Sequence, residues 1–221
     1  MPILTETEEI KYDFIFSMGE RCPCSVLLRS VFLQTFSNPL DWLSGSSFAS
    51  RLNLVITKFK DFLNIEDLEY ETCGSKWDIY SNKKSGVVYF HDFPAGEDMD
   101  TAFIKVKEKY DRRIARFLDK MSNSKKVLAV YIESFQTTSD MHSNDELIDA
   151  VQKMHKSYNT KSIDLLYMAQ DDSFENKPAK VEKINGSITK ISLFNRDYEA
   201  DAWEIDYEKS KEFFRNIRLV K

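Results

Sequence analysis

A cysteine stands where the first strand of the chain gives way to the first helix. The apolar run YDFIFS ends at Ser17, Gly19 permits a tight turn, and Cys22 precedes Pro23, a residue suited to the first turn of a helix. Unpaired N–H groups at a helix N-terminus stabilise an anion, so they favour a thiolate and lower the pKa of a cysteine placed there. The neighbouring Arg21 adds to this effect. The pattern predicts a nucleophilic Cys22 that faces a cleft, with a small residue at a crowded corner as the alternative.

A nucleophilic thiol also needs a general base, which is most often a histidine. Of the three histidines, His91 alone ends an apolar strand-like segment, and Asp92 follows it. His142 lies in a polar stretch and His155 lies among lysines, so both are expected to be solvated. His91 is therefore the candidate base, and a structural hydrogen-bonding role is its alternative.

The other two cysteines are expected to be ordinary reduced thiols. Cys24 shares an apolar helix face with Leu27 and Leu28. Two residues turn a helix by about 200°, so Cys24 should be more buried than Cys22. The spacing of Cys22, Cys24 and Cys73 lacks the paired ligands of a zinc site, and no metal or cofactor is predicted.

The apolar periodicity predicts the elements that would position these residues. Strands are expected at 12–17, 77–80, 87–91, 127–132, 163–168 and 188–194, and helices from about 22, at 46–63, 99–121, 144–157 and 207–217. The strands at 77–80 and 87–91 would form a hairpin. Because strands alternate with helices, we expect one three-layer α/β domain over residues 1–221. Its central mixed, mainly parallel sheet would hold the strands at 12–17, 87–91, 127–132 and 163–168.

Composition narrows the choice of partner. The 221 residues carry a formal net charge of −5 with acidic and basic residues interspersed, so there is no broad positive field for nucleic acid or an anionic membrane. No run of 18 apolar residues occurs, and the first residues lack the apolar core of a signal peptide. We expect a cytoplasmic protein that acts on a small molecule or a peptide.

Three segments carry a resemblance to a known family. They are "YDFIFSMGERC", "LLRSVFLQTFSNPLDW" and "YFHDF". Together they resemble the bacterial DUF1796 family of papain-like cysteine peptidases, in which a strand and S-L-G-x-x-C precede an L-R pair, a P-F-D-W motif and a later histidine. Met18 and Leu40 are mild departures from that pattern.

The resemblance implies a nucleophilic Cys22 that is activated by His91, with N–H groups of the first helix as oxyanion donors. A third residue would orient the imidazole. Glu133 is the preferred candidate, on the condition that its strand lies beside the strand of His91. Asp92 would point to the opposite side of its strand. Arg21, Asp41 and Trp42 are candidate binding residues, and Asp41 could instead anchor Arg29.

Two functions are consistent with these patterns. The first is a cysteine hydrolase or acyl transferase that acts on an amide, ester or thioester. The second is a non-catalytic module that binds a sugar or nucleotide-sugar connected with surface polysaccharide, in which Arg21 and the helix N-terminus receive an anion. A reactive Cys22 with His91 in reach would favour the first function, and an inert Cys22 beside a bound anion the second.

Overall fold

The elements follow one another as alternating strands and helices in a computed structural model that describes residues 9–60, 62–133, 142–158, 162–195 and 205–220. The strands are β1 (Ile10–Tyr12), β2 (Phe14–Ser17), β3 (Leu43–Ser44), β4 (Leu68–Cys73), β5 (Trp77–Asn82), β6 (Val88–Pro94), β7 (Lys126–Ile132), β8 (Ser162–Gln170), β9 (Lys180–Asn185), β10 (Ile188–Leu193) and β11 (Ile217–Leu219). The helices are α1 (Cys22–Ser30), α2 (Phe48–Ile56), α3 (Met99–Asn123), α4 (Asn144–Tyr158) and α5 (Tyr207–Lys211).

Five strands form the central sheet, in the order β2-β7-β8-β10-β9. The first four strands run parallel, and β9 pairs antiparallel with β10 at the edge. Strand β7 is buried along almost its whole length, as expected of a parallel strand that is covered on both faces. The predicted mixed, mainly parallel sheet is confirmed.

Each face of the central sheet carries its own hydrophobic core. Residues of β2, β7 and β8 such as Phe16, Ala129 and Tyr167 pack with buried side chains of α2, α3 and α4. The alternate residues of the same strands, such as Ile15 and Val130, pack with α1 and with the segment around α5. Helices therefore cover both faces, which confirms the predicted three-layer α/β architecture.

Four strands form a second sheet, here called the outer sheet, in the antiparallel order β3-β6-β5-β4. It contains the predicted hairpin of β5 and β6. The prediction that the strand at 87–91 joins the central sheet is wrong, because β6 pairs with β3 and β5. Residues of β4 after Leu68 are exposed, so the outer sheet has a solvent-facing side that the central sheet lacks.

Three further elements differ from their predicted extents. The strand expected at 12–17 is broken at Asp13, and β1 pairs with β11 instead of joining β2. The helix expected at 46–63 ends at Ile56, because Lys58 and Phe59 both adopt a left-handed backbone with φ of 58°. The closing helix expected at 207–217 is short, and β11 follows it. No helix among the described residues is both long and apolar enough to cross a membrane.

Candidate active site

Cys22 is the first residue of α1, at the carboxyl end of β2. The Arg21 side chain makes no capping hydrogen bond, and no acidic residue lies in the first turn. The positive end of the helix dipole is therefore not neutralised from within α1. Gly19 fixes the entry to the helix, since a Cβ atom there would lie 2.3 Å from Cβ of Cys24. Only glycine allows the strand end and the helix start to approach so closely.

Cys24 belongs to the core below this turn. It is 1% exposed, whereas Cys22 is only partly buried, which confirms the prediction from helical phase. Burial raises the pKa of the Cys24 thiol to about 12, and its Sγ lies 3.5 Å from the Val130 carbonyl oxygen. Cys24 is therefore a neutral packing residue, although it lies two positions from the candidate nucleophile.

An irregularity in β6 determines the direction of His91. Tyr80 pairs with Tyr89 and Asp78 pairs with Phe93, so three residues of β6 lie opposite the single residue Ile79. Tyr89 and Phe93 are buried in the core, and regular alternation would bury His91 with them. The extra residues break that alternation, and His91 is exposed. Bulges commonly re-aim a side chain in this way beside functional sites.

His91 and Cys22 line the same pocket. This pocket has a volume of about 260 Å³, and its lining consists of Arg21, Cys22, Trp42, Leu43, Ser44, Phe90 and His91. Residues from the start of α1, from β3 and its preceding turn, and from β6 thus meet at one place. Of the residues predicted from the sequence, Cys22, His91, Arg21 and Trp42 come together here.

Asp41 directly precedes the pocket residue Trp42 in the chain and is fully buried. Its carboxylate accepts hydrogen bonds from the Asn38 backbone N–H at 2.7 Å and from the Gln34 side-chain amide, and it lies 3.6 Å from the Arg29 guanidinium. Burial outweighs these partners and raises the pKa of Asp41 to about 6. The Arg29 guanidinium in turn lies 5.6 Å from the centre of the Trp42 ring. Asp41 anchors Arg29, which was its alternative prediction, and Arg29 supports a wall of the pocket.

Arg51 of α2 is a further charged residue at this place, and no sequence pattern marks it as part of the site. Its side chain is fully buried and donates to the carbonyl oxygens of Glu20 at 2.7 Å, Leu43 at 2.8 Å and Leu40 at 3.3 Å. It thereby joins the turn before Cys22 to strand β3. Burial lowers the pKa of the guanidinium, while Tyr131, Glu20, Cys24 and Cys22 raise it, in decreasing order of effect.

The two carboxylates considered as partners of His91 point elsewhere. Asp92 is buried and accepts hydrogen bonds from Tyr110 Oη at 2.9 Å and from Lys109, so it anchors β6 to α3. Glu133 accepts from Tyr167 Oη and from the Gln170 backbone N–H at 3.2 Å. The argument for Glu133 required β7 to lie beside β6, and that condition is wrong because β7 lies between β2 and β8. A catalytic role for Glu133 stays a prediction.

The other two histidines are more enclosed than the sequence suggested. The His142 ring centre lies 4.9 Å from that of Phe48, and the His142 side chain is 20% exposed. His155 Nε2 accepts a hydrogen bond from the Ile163 backbone N–H at 3.3 Å. Within the described part of the chain, no three His, Cys, Asp or Glu side chains are grouped so that they could hold a metal ion.

A strand, a glycine turn and a cysteine at a helix N-terminus, with a histidine in the same pocket, are features of a thiol hydrolase. The family model described as "Putative papain-like cysteine peptidase (DUF1796)" matches residues 13–169. The chain belongs to this DUF1796 family, and the matched segment contains both Cys22 and His91. The family resemblance inferred from the sequence motifs is confirmed.

The chain is also similar to a viral protein over most of its length. "Uncharacterized protein R408" of Acanthamoeba polyphaga mimivirus is 26% identical over an alignment 219 residues long. The alignment covers 90% of this chain and 96% of the viral protein. Since this relative is viral, the bacterial origin stays a prediction. No solved structure matches the chain.

Proposed function

We propose that the protein is a cysteine hydrolase or acyl transferase in which Cys22 attacks the carbonyl carbon of an amide, ester or thioester. The observation that carries this proposal is the shared pocket, which brings the cysteine at the N-terminus of α1 together with His91 of β6. Membership of a family described as papain-like cysteine peptidases supports the same class of chemistry.

The reaction comprises the acylation of Cys22 and its subsequent deacylation. The Cys22 proton passes to the His91 imidazole, and the thiolate sulfur forms a bond to the substrate carbonyl carbon. The carbonyl oxygen becomes an oxyanion that the first N–H groups of α1 stabilise. As the tetrahedral intermediate collapses, the leaving group departs with the imidazolium proton, and Cys22 keeps the acyl group as a thioester. Water or a second nucleophile then gives a proton to His91 and attacks that thioester, and the departing Cys22 sulfur takes this proton back as the thiol is restored.

Two positive features of the protein stabilise the thiolate in this scheme. The first is the N-terminus of α1, whose dipole favours an anion at Cys22. The second is the buried Arg51, because a charge in a low-dielectric interior acts more strongly on its neighbours than an exposed one. Arg21 and Trp42 contribute the binding contacts of the proposal, and Asp41 supports Trp42 through Arg29.

The proposal is tested by the pH dependence of iodoacetamide labelling, measured cysteine by cysteine with mass spectrometry. Cys22 should react largely as a thiolate near pH 7, and His91→Ala should move its profile towards that of a free thiol, with a midpoint of about 8.5. Exposed Cys73 is a slow reference within the same chain, because a hydrogen bond with Asp78 raises the pKa of its thiol.

His155→Ala provides the matched control, since it removes a histidine that does not line the pocket. Its Cys22 profile should equal that of the parent. A parent Cys22 that titrates like an ordinary thiol would remove the basis for a nucleophile and favour the binding module. An unshifted profile in His91→Ala would exclude the histidine from the mechanism.

A further inference from the structure

The walls of the pocket beside Cys22 are apolar. Trp42 and Leu43 form one side, and Phe90 of β6 belongs to the lining with them. Phe90 is 41% exposed, which is unusual for a phenylalanine because its exposure leaves apolar surface in water. The irregularity of β6 places His91 in the same lining as Phe90. A ligand that reaches the histidine therefore contacts an aromatic ring.

The tryptophan wall is held in place in the absence of any ligand. Trp42 Nε1 donates a hydrogen bond to Ser37 Oγ at 3.2 Å, and the Arg29 guanidinium lies 5.6 Å from the ring centre. Arg29 also donates to Ser37 Oγ at 3.1 Å. Because these contacts fix the Trp42 ring before a substrate binds, binding does not require the loss of entropy that ordering the ring would cost.

Charge and size restrict the group that fits. Apart from Cys22 and His91, the only ionisable side chain among the described lining residues is Arg21. A cationic group would therefore meet a like charge and no carboxylate in the lining. The volume of about 260 Å³ lies at the small end of ligand pockets, so it suits one side-chain-sized group and not a long polymer. Ser44 completes the lining, and its hydroxyl oxygen is buried and makes no hydrogen bond within the described part of the chain.

We propose that this pocket receives the acyl part of the substrate and that this part carries an aromatic or branched apolar group without a positive charge. This inference rests on the proposed function, which makes Cys22 the residue that bonds to the acyl carbon. Since Cys22 and His91 themselves line the pocket, the group that fills it is attached next to the reacting carbonyl. The recognised substrates are thus esters, thioesters or amides of compact apolar acids.

Two alkylating reagents test the pocket without requiring turnover. Iodoacetamide and N-benzyl iodoacetamide differ only in an apolar benzyl group on the amide nitrogen, and each labels Cys22 and Cys73 in the same sample. The rate ratio of the benzyl reagent to iodoacetamide should be at least about fivefold higher at Cys22 than at Cys73, because only Cys22 adjoins an apolar pocket. Phe90→Ala and Trp42→Ala should each reduce this preference towards one. Phe32→Ala, which truncates an 86% exposed aromatic residue outside the lining, should leave the preference unchanged.

The outcomes separate this inference from the proposed function. A preference below twofold in the parent overturns the inference even where Cys22 reacts rapidly as a thiolate. A preference that survives in both Phe90→Ala and Trp42→Ala assigns it to another surface and also overturns the inference. A slow, ordinary Cys22 that keeps a Phe90-dependent preference supports the pocket while it contradicts the proposed function. Phe90→Ala removes a partly exposed side chain, so its fold is expected to persist, and circular dichroism checks this.

Discussion

The central sheet and the outer sheet supply the two halves of the candidate site in different ways. Cys22 follows β2, a strand whose four residues are all buried and whose neighbour β7 is covered on both faces. His91 belongs to β6, which lies in a sheet with one exposed side and an irregular register. Cys22 thus follows a strand that is fully buried. His91 lies on a strand where Phe90 and His91 are exposed, so these two side chains can change at little cost in packing.

On the Cys22 side, a substitution that changes reactivity should therefore also lower the stability of the fold. On the His91 side, reactivity should change without a large loss of stability. A substitution behind Cys22 removes core contacts of the central sheet. A substitution at Phe90 or His91 removes exposed side chains and changes the pocket itself. Three predictions probe this contrast.

The largest expected effect is the loss of a core ring in β2. Phe16 is 0% exposed, and its ring lies edge-on to Phe117 with the ring centres 4.9 Å apart. Phe16→Ala should lower the free energy of unfolding by about 3–5 kcal/mol, because it creates a cavity in a packed core. Urea denaturation monitored by circular dichroism measures the change. Tyr70→Ala in the outer sheet is the control and should cost less than about 1 kcal/mol. Equal losses in the two variants would contradict the contrast.

The next effect concerns Arg51, which joins the two regions. Arg51→Met leaves three buried carbonyl oxygens without their donor and should lower the free energy of unfolding by about 2–4 kcal/mol. It also removes a positive charge near Cys22, so iodoacetamide labelling of Cys22 at pH 7 should slow while labelling of Cys73 does not. Arg51→Lys keeps the charge and should retain faster Cys22 labelling than Arg51→Met. Unchanged stability in Arg51→Met would show that the carbonyl contacts do not join the two regions.

The smallest effect is a pH dependence at Asp41, the residue that precedes Trp42. Its pKa in the folded protein is about 6, above the ordinary value of about 3.9 for an unfolded chain, so the folded state binds the proton more tightly. The resulting stabilisation is complete below about pH 4 and is lost as the pH rises through 6. Relative to Asp41→Asn, the parent should therefore lose roughly 2–3 kcal/mol between pH 4 and pH 7. Denaturation at both pH values measures the difference, and parallel curves for the two proteins would show that Asp41 titrates normally.

The sequence predicted those features that depend on local periodicity. The continuous apolar run at 127–132 indicated a strand covered on both faces, and β7 is such a strand. Helical phase separated Cys24 from Cys22, because opposite faces of one helix meet different surroundings. The long apolar spacing of α3 likewise matched its observed extent of Met99–Asn123 within two residues at the C-terminal end.

Features that depend on tertiary pairing were not predictable in this way. An alternating strand does not reveal which sheet it joins, so the segment at 87–91 was placed in the wrong one. The helix from Phe48 ended early although Phe59 and Phe62 continue the apolar spacing. Both side chains are buried, but Phe59 lies in a left-handed turn and Phe62 in the loop that follows it. Arg51 gave no signal, because an arginine in a helix is ordinarily solvated and its three carbonyl partners come from distant residues.

The two extra residues of β6 could be deleted in evolution without loss of the core rings on either side of them. Tyr89 and Phe93 keep their core positions on either side of the irregularity, and they pair with Tyr80 and Asp78 across it. A deletion of residues 90 and 91 would leave one residue opposite Ile79 and restore a regular ladder. Such a deletion removes the histidine and one pocket wall and keeps the Tyr89 and Phe93 rings in the core, but it turns Asp92 away from Tyr110 of α3. A lineage could thus lose the chemistry of this site in one event, with the loss of one anchor between β6 and α3.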